Sequence, residues 1–307
     1  MVTEKFDQNG AQPLPPSSRI IVLTSPKAGS GRQRESLPLL HERLSRANYH
    51  VFMTDSMTEF RERITSSESS GSQPSIVAVA AGGDGTVSLT ADLTPPSVPL
   101  VVMPFGTENL LARHYGYSSN AENTFNTIVH GTDHQIDAGR ANGRLFLVMA
   151  SCGFDAEVVR DVHLRRRGHI RRLSYARPIF RAVRKYSFPK LTMTRDDGPD
   201  RQAHWAMAFN LPCYAAGLKI EPGAVDNDGK LDLISFADGS VASGLRYFAG
   251  VMMGRHLQYA DVIREPMTRI TISSDRRVPY QLDGDYVGRL PLTIEMEPGR
   301  LKLRLPG

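Results

Sequence analysis

The rhythm of apolar and polar positions changes part-way along the chain. Residues 19–24 (Arg-Ile-Ile-Val-Leu-Thr) form a short unbroken apolar run, which predicts a buried strand. Helical spacing follows over 34–47, then a strand at 49–53, a helix over 58–66 and a Ser/Gly-rich loop over 66–75. The run Ile-Val-Ala-Val-Ala-Ala at 76–81 and the run Leu-Val-Val-Met at 100–103, ended by Pro104, read as two more strands. Strands without alternation, separated by helices, predict an open parallel α/β sheet over about 19–135. Beyond that point, apolar runs at 145–151, 203–210, 230–236 and 269–272 are separated by turn signals with fewer helices. Asp196-Asp197-Gly198-Pro199-Asp200 reads as a hairpin loop between two of these strands. The expected organisation is a polar tail over 1–17, an α/β domain over 18–138 rejoined by about 299–307, and a β-rich domain over 139–298.

Composition narrows this picture only at a few points. The 307 residues are 40% hydrophobic and 22% charged, which suits folded domains rather than disorder. The two cysteines, Cys152 and Cys213, lie in apolar, strand-like surroundings and read as buried thiols; neither belongs to a Cys-x-x-Cys pair. With no His-Glu-x-x-His spacing among nine histidines, a structural zinc site is not expected. His163, His169 and His204 have no accompanying carboxylate or serine pattern, and Trp205 and the pair Met252-Met253 read as core. No window reaches the roughly 18 continuous apolar residues of a membrane span. The chain is therefore expected to be cytoplasmic, with any membrane contact peripheral. The net charge of +5 favours anionic partners, and its distribution is uneven. From Arg160 to Lys190 there are eleven Lys or Arg in 31 residues against one acid, Asp161, interleaved with apolar residues including Tyr175, Phe180 and Phe188. That segment suits an anionic membrane surface, or else a solvated helix face whose aromatics pack inward. No nucleic-acid recognition motif accompanies the charge.

The strongest local chemistry is the strand that runs into Gly82-Gly83-Asp84-Gly85-Thr86-Val87. Glycines at the carboxyl end of a parallel strand let main-chain N–H groups approach a phosphate, and a helix starting near Val87 adds its positive end. Asp84 would repel a bare phosphate, so it belongs beside a metal ion, a hydroxyl or a backbone amide. The residues alone leave open a second reading, a tight strand-to-helix turn that binds nothing. Asp226-Asn227-Asp228-Gly229 lacks acids at the earlier ligand positions of a calcium loop and its closing glutamate.

Six blocks in order extend the reading: Ser-Pro-Lys-Ala-Gly-Ser-Gly (25–31), Gly-Gly-Asp-Gly-Thr (82–86), Pro-Phe-Gly-Thr-Glu-Asn (104–109), Gly-Phe-Asp-Ala (153–156), Asp-Gly-Lys-Leu-Asp (228–232) and Leu-Asp-Gly-Asp (282–285). Together they resemble the catalytic domain of bacterial diacylglycerol kinases, related to sphingosine and ceramide kinases. The resemblance implies an α/β nucleotide domain, a β-rich domain and an active site in the cleft between them. It implies ATP as phosphate donor, held by Gly82, Gly83, Asp84, Gly85, Thr86, Val87, Ser88 and Thr107, with Thr54 a weaker candidate and Asn109 organising the pocket. Asp285 would be the base that accepts the proton of the lipid hydroxyl, with Asp84 the second catalytic acid. Val225, Asp228 and Lys230 would form a secondary Mg²⁺ site, two of them through carbonyls, and Asp84 and Asp137 would lie near the catalytic Mg²⁺ through water. The sequence departs from the family pattern at three places: Asp285 stands for the usual glutamate, Leu110-Leu111 for Asp-Phe, and Ser88 for asparagine. An aspartate withdraws its carboxylate by about 1.5 Å relative to glutamate. The resulting expectation is an ATP-dependent kinase of diacylglycerol or a related lipid, compatible with a homodimer. The alternatives are an NAD kinase-like enzyme and a catalytically weak nucleotide- or lipid-binding regulator.

Overall fold

The computed structural model describes residues 13–25, 35–66, 75–164, 186–196 and 198–307. Most of the block at 25–31, most of the Ser/Gly-rich loop and residues 165–185 of the basic segment lie outside the described residues, as do His169, Tyr175 and Phe180. In chain order the elements are β1 (Arg19–Thr24), α1 (Ser36–Arg46), β2 (His50–Thr54), α2 (Met57–Thr65), β3 (Ile76–Gly82), α3 (Asp84–Leu93), β4 (Pro99–Pro104), α4 (Leu110–His114), α5 (Ala121–His130), β5 (Thr132–Ala141), β6 (Arg144–Phe146), β7 (Met149–Cys152), α6 (Phe154–Leu164), β8 (Leu191–Thr194), β9 (Arg201–Ala203), β10 (Trp205–Phe209), β11 (Leu231–Phe236), α7 (Val241–Met252), β12 (Val262–Met267), β13 (Arg269–Ser273), β14 (Pro279–Leu282), β15 (Asp285–Arg289) and β16 (Leu292–Leu305). They form two compact units, one reaching Ile136 and including Gly299–Gly307, the other Asp137–Pro298. No helix among the described residues is long and apolar enough to cross a membrane.

In the first unit four parallel strands lie in the order β2-β1-β3-β4, and the end of β16 adds to β4 with Leu303 opposite Leu100. Every residue of β3 is buried, which is why its sequence shows an unbroken apolar run instead of alternation. From β1 the chain passes to β2 on one side; from β3 it passes to β4 on the other. The sheet's topological switch therefore lies between the carboxyl ends of β1 and β3, where Thr24 pairs with Ala81. Open α/β sheets place ligands at that point. The block at 25–31 starts there, Gly82-Gly83-Asp84-Gly85-Thr86 leaves β3 there, and Gly82 pairs with Pro104 at the end of β4. Register alone thus gathers two of the six blocks and Ser25, the first residue of a third.

The second unit is antiparallel. One sheet runs β12-β11-β10-β7-β14-β15; β13 pairs with both β8 and the first part of β16, and β8 pairs with β9. Alternate residues face a shared core: Ala150 and Cys152 of β7, Leu231 and Leu233 of β11, Tyr280 and Leu282 of β14 meet Leu191 and Met193 of β8, Ile270 and Ile272 of β13, and Leu292 and Ile294 of β16. Trp205 is buried and stacks on Phe236 at 4.2 Å, and Phe236 leans on Tyr247 of α7.

Four expectations change here. The run at 145–151 is not one strand: β6 and β7 are separated at Leu147 and Val148, whose N–H groups bond a side chain instead of a neighbouring strand. Met252 and Met253 are 58% and 60% exposed at the end of α7, because their place on that helix turns them from the buried face that carries Tyr247 and Val251. Phe188 is buried and stacks on Phe154 at 5.6 Å, so it packs inward and is not available to an interface. Cys213 is half-buried in the loop after β10, whereas Cys152 is fully buried in β7.

Burial pushes the Cys152 thiol up to about 12, against the bonding of Ala206. At pH 8 a thiol of that pKa is about one part in ten thousand thiolate, and the thiolate is the reactive form. A maleimide or disulfide reagent at pH 8 is expected to modify Cys213 alone in the native protein and both cysteines in denaturant. Rapid native labelling of two thiols per chain, counted by mass spectrometry, would contradict the buried position of β7.

Candidate active site

The turn after β3 is built from close backbone contact. A Cβ on Gly82 would lie 2.3 Å from Thr86 Oγ1, and one on Gly106 would lie 2.7 Å from the Gly83 Cα. Only glycine lets the two loops touch in this way. Helix α3 begins at Asp84, three residues earlier than the expected Val87, with Gly83 as its N-cap and no side-chain capping bond. Gly83 has no side chain to cap the helix, and the N–H groups of Thr86 and Val87 donate to its carbonyl, so the helix start presents no capping side chain to an approaching anion.

Asp84 faces another group. One carboxylate oxygen accepts the N–H of Asn109 at 2.9 Å and the other accepts that of Leu110 at 2.8 Å. Asn109 lies in the left-handed region at φ 48° and caps nothing at the start of α4, so Asp84 supplies that helix with its acceptors. The Asn109 amide folds back instead, accepting the Gly106 N–H at 2.9 Å and donating to the Gly106 carbonyl at 2.8 Å. Asp84 and Asn109 thereby lock the 82–86 and 104–110 blocks together. Thr107 is exposed on that locked loop, and its hydroxyl has no partner among the described residues. Leu110 and Leu111 are buried, so this departure adds apolar bulk to the unit's interior. Thr86 and Ser88 are half-buried and Val87 buried on α3, while Gly85 is exposed. Thr54 stands apart, at the end of β2 with β1 between it and β3. Its hydroxyl donates to Glu59 at 2.7 Å and accepts from the Ser56 N–H at 3.0 Å, so it is occupied locally.

In the second unit, Leu-Asp-Gly-Asp forms the β14–β15 turn, with Asp283 at φ 49° and Gly284 at φ 87°. Asp283 is 9% exposed, and its carboxylate accepts the N–H groups of Leu147, Val148 and Met149 at 2.9, 2.9 and 3.0 Å. It is a structural acid, and it explains the break between β6 and β7. Asp285, two residues on, is half-buried at the start of β15, and its carboxylate has no partner among the described residues. Sequence reasoning singled out Asp285 and passed over Asp283. The available signal was an acid before glycine at a tight turn, the type of residue that tolerates a left-handed backbone.

Asp137 is buried beside the 226–230 loop. Its N–H donates to the Asp226 carbonyl at 2.6 Å, and its carboxylate accepts the Gly229 N–H at 2.7 Å. Asn210 fixes its carbonyl at 2.9 Å. Asp228 is exposed and accepts the Lys230 N–H at 3.0 Å, while Val225 is 47% exposed. Among the described residues no cluster of three or more His, Cys, Asp or Glu side chains could hold a metal ion. A cation at this loop would rest on the Asp228 carboxylate, the carbonyls of Val225 and Lys230 and water. That donor set fits Mg²⁺, which keeps several waters and takes one or two carboxylates.

Comparison with known proteins places both units. Residues 19–141 match the sequence profile of the diacylglycerol kinase catalytic domain, and residues 148–305 match that of the YegS C-terminal NAD kinase beta sandwich-like domain. The chain is 25% identical over 218 residues to a diacylglycerol kinase of Bacillus subtilis, covering 69% of this chain and 72% of that protein. It is 29% identical over 234 residues to a diacylglycerol kinase of Mycobacterium tuberculosis, covering 73% and 75%. The fold matches the crystal structure of a diacylglycerol kinase from Bacillus anthracis with a TM-score of 0.64 at 17% identity, over 94% of this chain and 97% of that one.

Proposed function

The chain belongs to the diacylglycerol kinase family, and from that premise we propose that it transfers the γ-phosphate of ATP to a hydroxyl of diacylglycerol or a related lipid. The observation that carries this reading is Asp285, an acid without a partner among the described residues, on a turn whose other acid, Asp283, is committed to three amides. The phosphates of ATP would lie against the glycine-capped start of α3 and Thr107, with Asp84 and Asn109 keeping the two loops in place. Phosphoryl transfer needs alignment and charge neutralisation more than covalent help. The lipid hydroxyl oxygen would bond to the γ-phosphorus as the bond to the β-phosphate oxygen breaks, with the hydroxyl proton passing to Asp285 and ADP leaving. A base within reach of that proton contributes about 10²–10⁴ in rate. A secondary Mg²⁺ would be held by Asp228 with the carbonyls of Val225 and Lys230, and a catalytic Mg²⁺ through water by Asp84 and Asp137, where it would offset the phosphate charge. Each Asp84 oxygen also accepts one main-chain amide.

The basic segment from Arg160 to Lys190 supports docking at an anionic membrane, where each Lys or Arg near the surface adds about 1 kcal/mol. Membrane association and a homodimer remain part of the proposal.

The test is transfer of labelled γ-phosphate from ATP, with Mg²⁺, to a panel of diacylglycerol, sphingoid base, ceramide and phosphatidylglycerol in mixed micelles, with NAD alongside. Label is expected in a lipid and absent from NAD. Label in NAD would replace the proposal with the NAD kinase-like reading. No label at all, with ATP still bound, would favour a regulator.

A further inference from the structure

We propose that Gln281, anchored by Asp155, is a positioning residue that sets the place of Asp285; this rests on the reading of Asp285 as the base. Gln281 lies opposite Ser151 in the β14–β7 pairing. Their neighbours Tyr280, Leu282, Ala150 and Cys152 belong to the apolar core, so alternation turns Gln281 and Ser151 to the other face of the sheet. There the first turn of α6 brings Asp155 and the loop after β10 brings Tyr214.

The polar groups on this face are closely matched. The two hydrogens of Gln281 Nε2 are shared among Ser151 Oγ at 3.0 Å, Asp155 Oδ2 at 3.1 Å and the Met149 sulfur at 2.7 Å. Gln281 Oε1 accepts the Gly284 N–H at 2.7 Å. The amide can face only this way, since reversal would set its NH₂ against a main-chain N–H and its oxygen against a carboxylate. Asp155 also accepts the hydroxyls of Ser151 and Tyr214. Gln281 and Ser151 are 1% exposed and Asp155 is 7% exposed. Burial raises the Asp155 carboxyl above its ordinary value, and the Ser151, Tyr214 and Gln281 donors pull it back.

This network ends on Gly284, the residue next to Asp285. The Asp283 carboxylate holds the turn from the β6–β7 side, and the Gln281 amide holds it from the α6 side. An apolar residue at 281 would fill the space, take away the acceptor that holds the Gly284 N–H and remove one of the two donors to Asp155 Oδ2, which keeps Ser151. The glutamine therefore serves the geometry of the turn, and through it Asp285.

Gln281→Met removes the bonds at similar volume. It is expected to lower kcat on the panel's lipid substrate by about 10–100-fold, in line with displacement of a catalytic group by up to 1 Å. KM for ATP and for lipid should each stay within about twofold. Hydrogen exchange should accelerate in the peptide covering 282–289, with the first unit unchanged. If Gln281→Met does not fold, Tyr214→Phe, which removes one hydroxyl from Asp155, should show the same pattern at about 3–10-fold. A variant with kcat within twofold of wild type, a loss carried by KM, or unchanged exchange at 282–289 would overturn the inference. If the wild type phosphorylates no lipid, the functional reading fails instead, and the exchange measurement still decides whether Gln281 holds the turn.

Discussion

Asp285→Ala is expected to lower kcat for lipid phosphorylation by about 10²–10⁴-fold, the contribution of a well-placed general base. Affinity for ATP should change by less than about twofold, because the proposed phosphate contacts lie on the glycine turn and Thr107 and not on this side chain. Folding should also be unaffected, since the carboxylate has no hydrogen bond or ion pair among the described residues. Asp285→Asn keeps the shape and removes the basicity, so it should fall with alanine. Asp285→Glu keeps an acid with the longer reach usual at this position in the family, and should stay within about tenfold of wild type. Steady-state kinetics of the three variants separates a base from a residue that only fills space. The neighbouring Asp283→Ala offers a contrast: it strips the acceptor from three main-chain amides and should impair folding before kinetics can be measured.

The second large effect is expected at Asp84, whose carboxylate stands in for the missing N-cap of α4 and ties it to the turn after β3. Hydrogen bonds to charged groups contribute about 1.5–3 kcal/mol each, and loss of a cap costs about 0.5–2 kcal/mol. Because these overlap, Asp84→Ala is expected to destabilise the protein by about 2–4 kcal/mol, read from the midpoint of denaturant unfolding. Freed from Asp84, the loop carrying Thr107 would lose its alignment with the glycine turn, and kcat/KM for ATP should fall by at least about 100-fold. Asp84→Asn retains one acceptor but sets an NH₂ group against the other amide, so it should recover less than half of the lost stability. If Asp84→Ala kept full stability and lost only activity, its main role would lie at the metal and not in the loop.

These two aspartates show which parts of the site could be read from the chain. The glycines at 82, 83 and 106 announce close backbone contact, and the unbroken apolar run before Gly82 identifies a buried parallel strand. Both signals are local, and the family resemblance then ordered the blocks. What Asp84 bonds could not be read, because its partners lie 25 and 26 residues away across a loop. Likewise Asp283 depends on amides 134 to 136 residues distant, so only the fold could separate the structural acid of Leu-Asp-Gly-Asp from the one that has no partner among the described residues. Gln281 was illegible for a related reason. A polar residue in a strand normally marks a solvated face, and nothing nearby in sequence reveals that Asp155 and Tyr214 cover it. Met252 and Met253 erred in the opposite direction: apolar identity predicts burial, but the face of α7 decides it, and that face is set by Tyr247 and Val251.

The departure at 110–111 also takes on a physical meaning. Leu110 contributes its N–H to Asp84 while its side chain is 6% exposed, so the position serves the loop through its backbone whatever the side chain. The shorter acid at 285 is the departure that bears on rate, and the turn that carries it is held by Asp283 on one side and Gln281 on the other.

The most direct test of the central claim is a single-turnover experiment with labelled ATP, Mg²⁺ and diacylglycerol micelles, comparing wild type with Asp285→Ala at equal ATP occupancy. The account predicts label entering the lipid phase with wild type and at least about a hundredfold slower with the variant. Equal rates for the two proteins, or ATP bound by both with no label leaving it, would contradict the account.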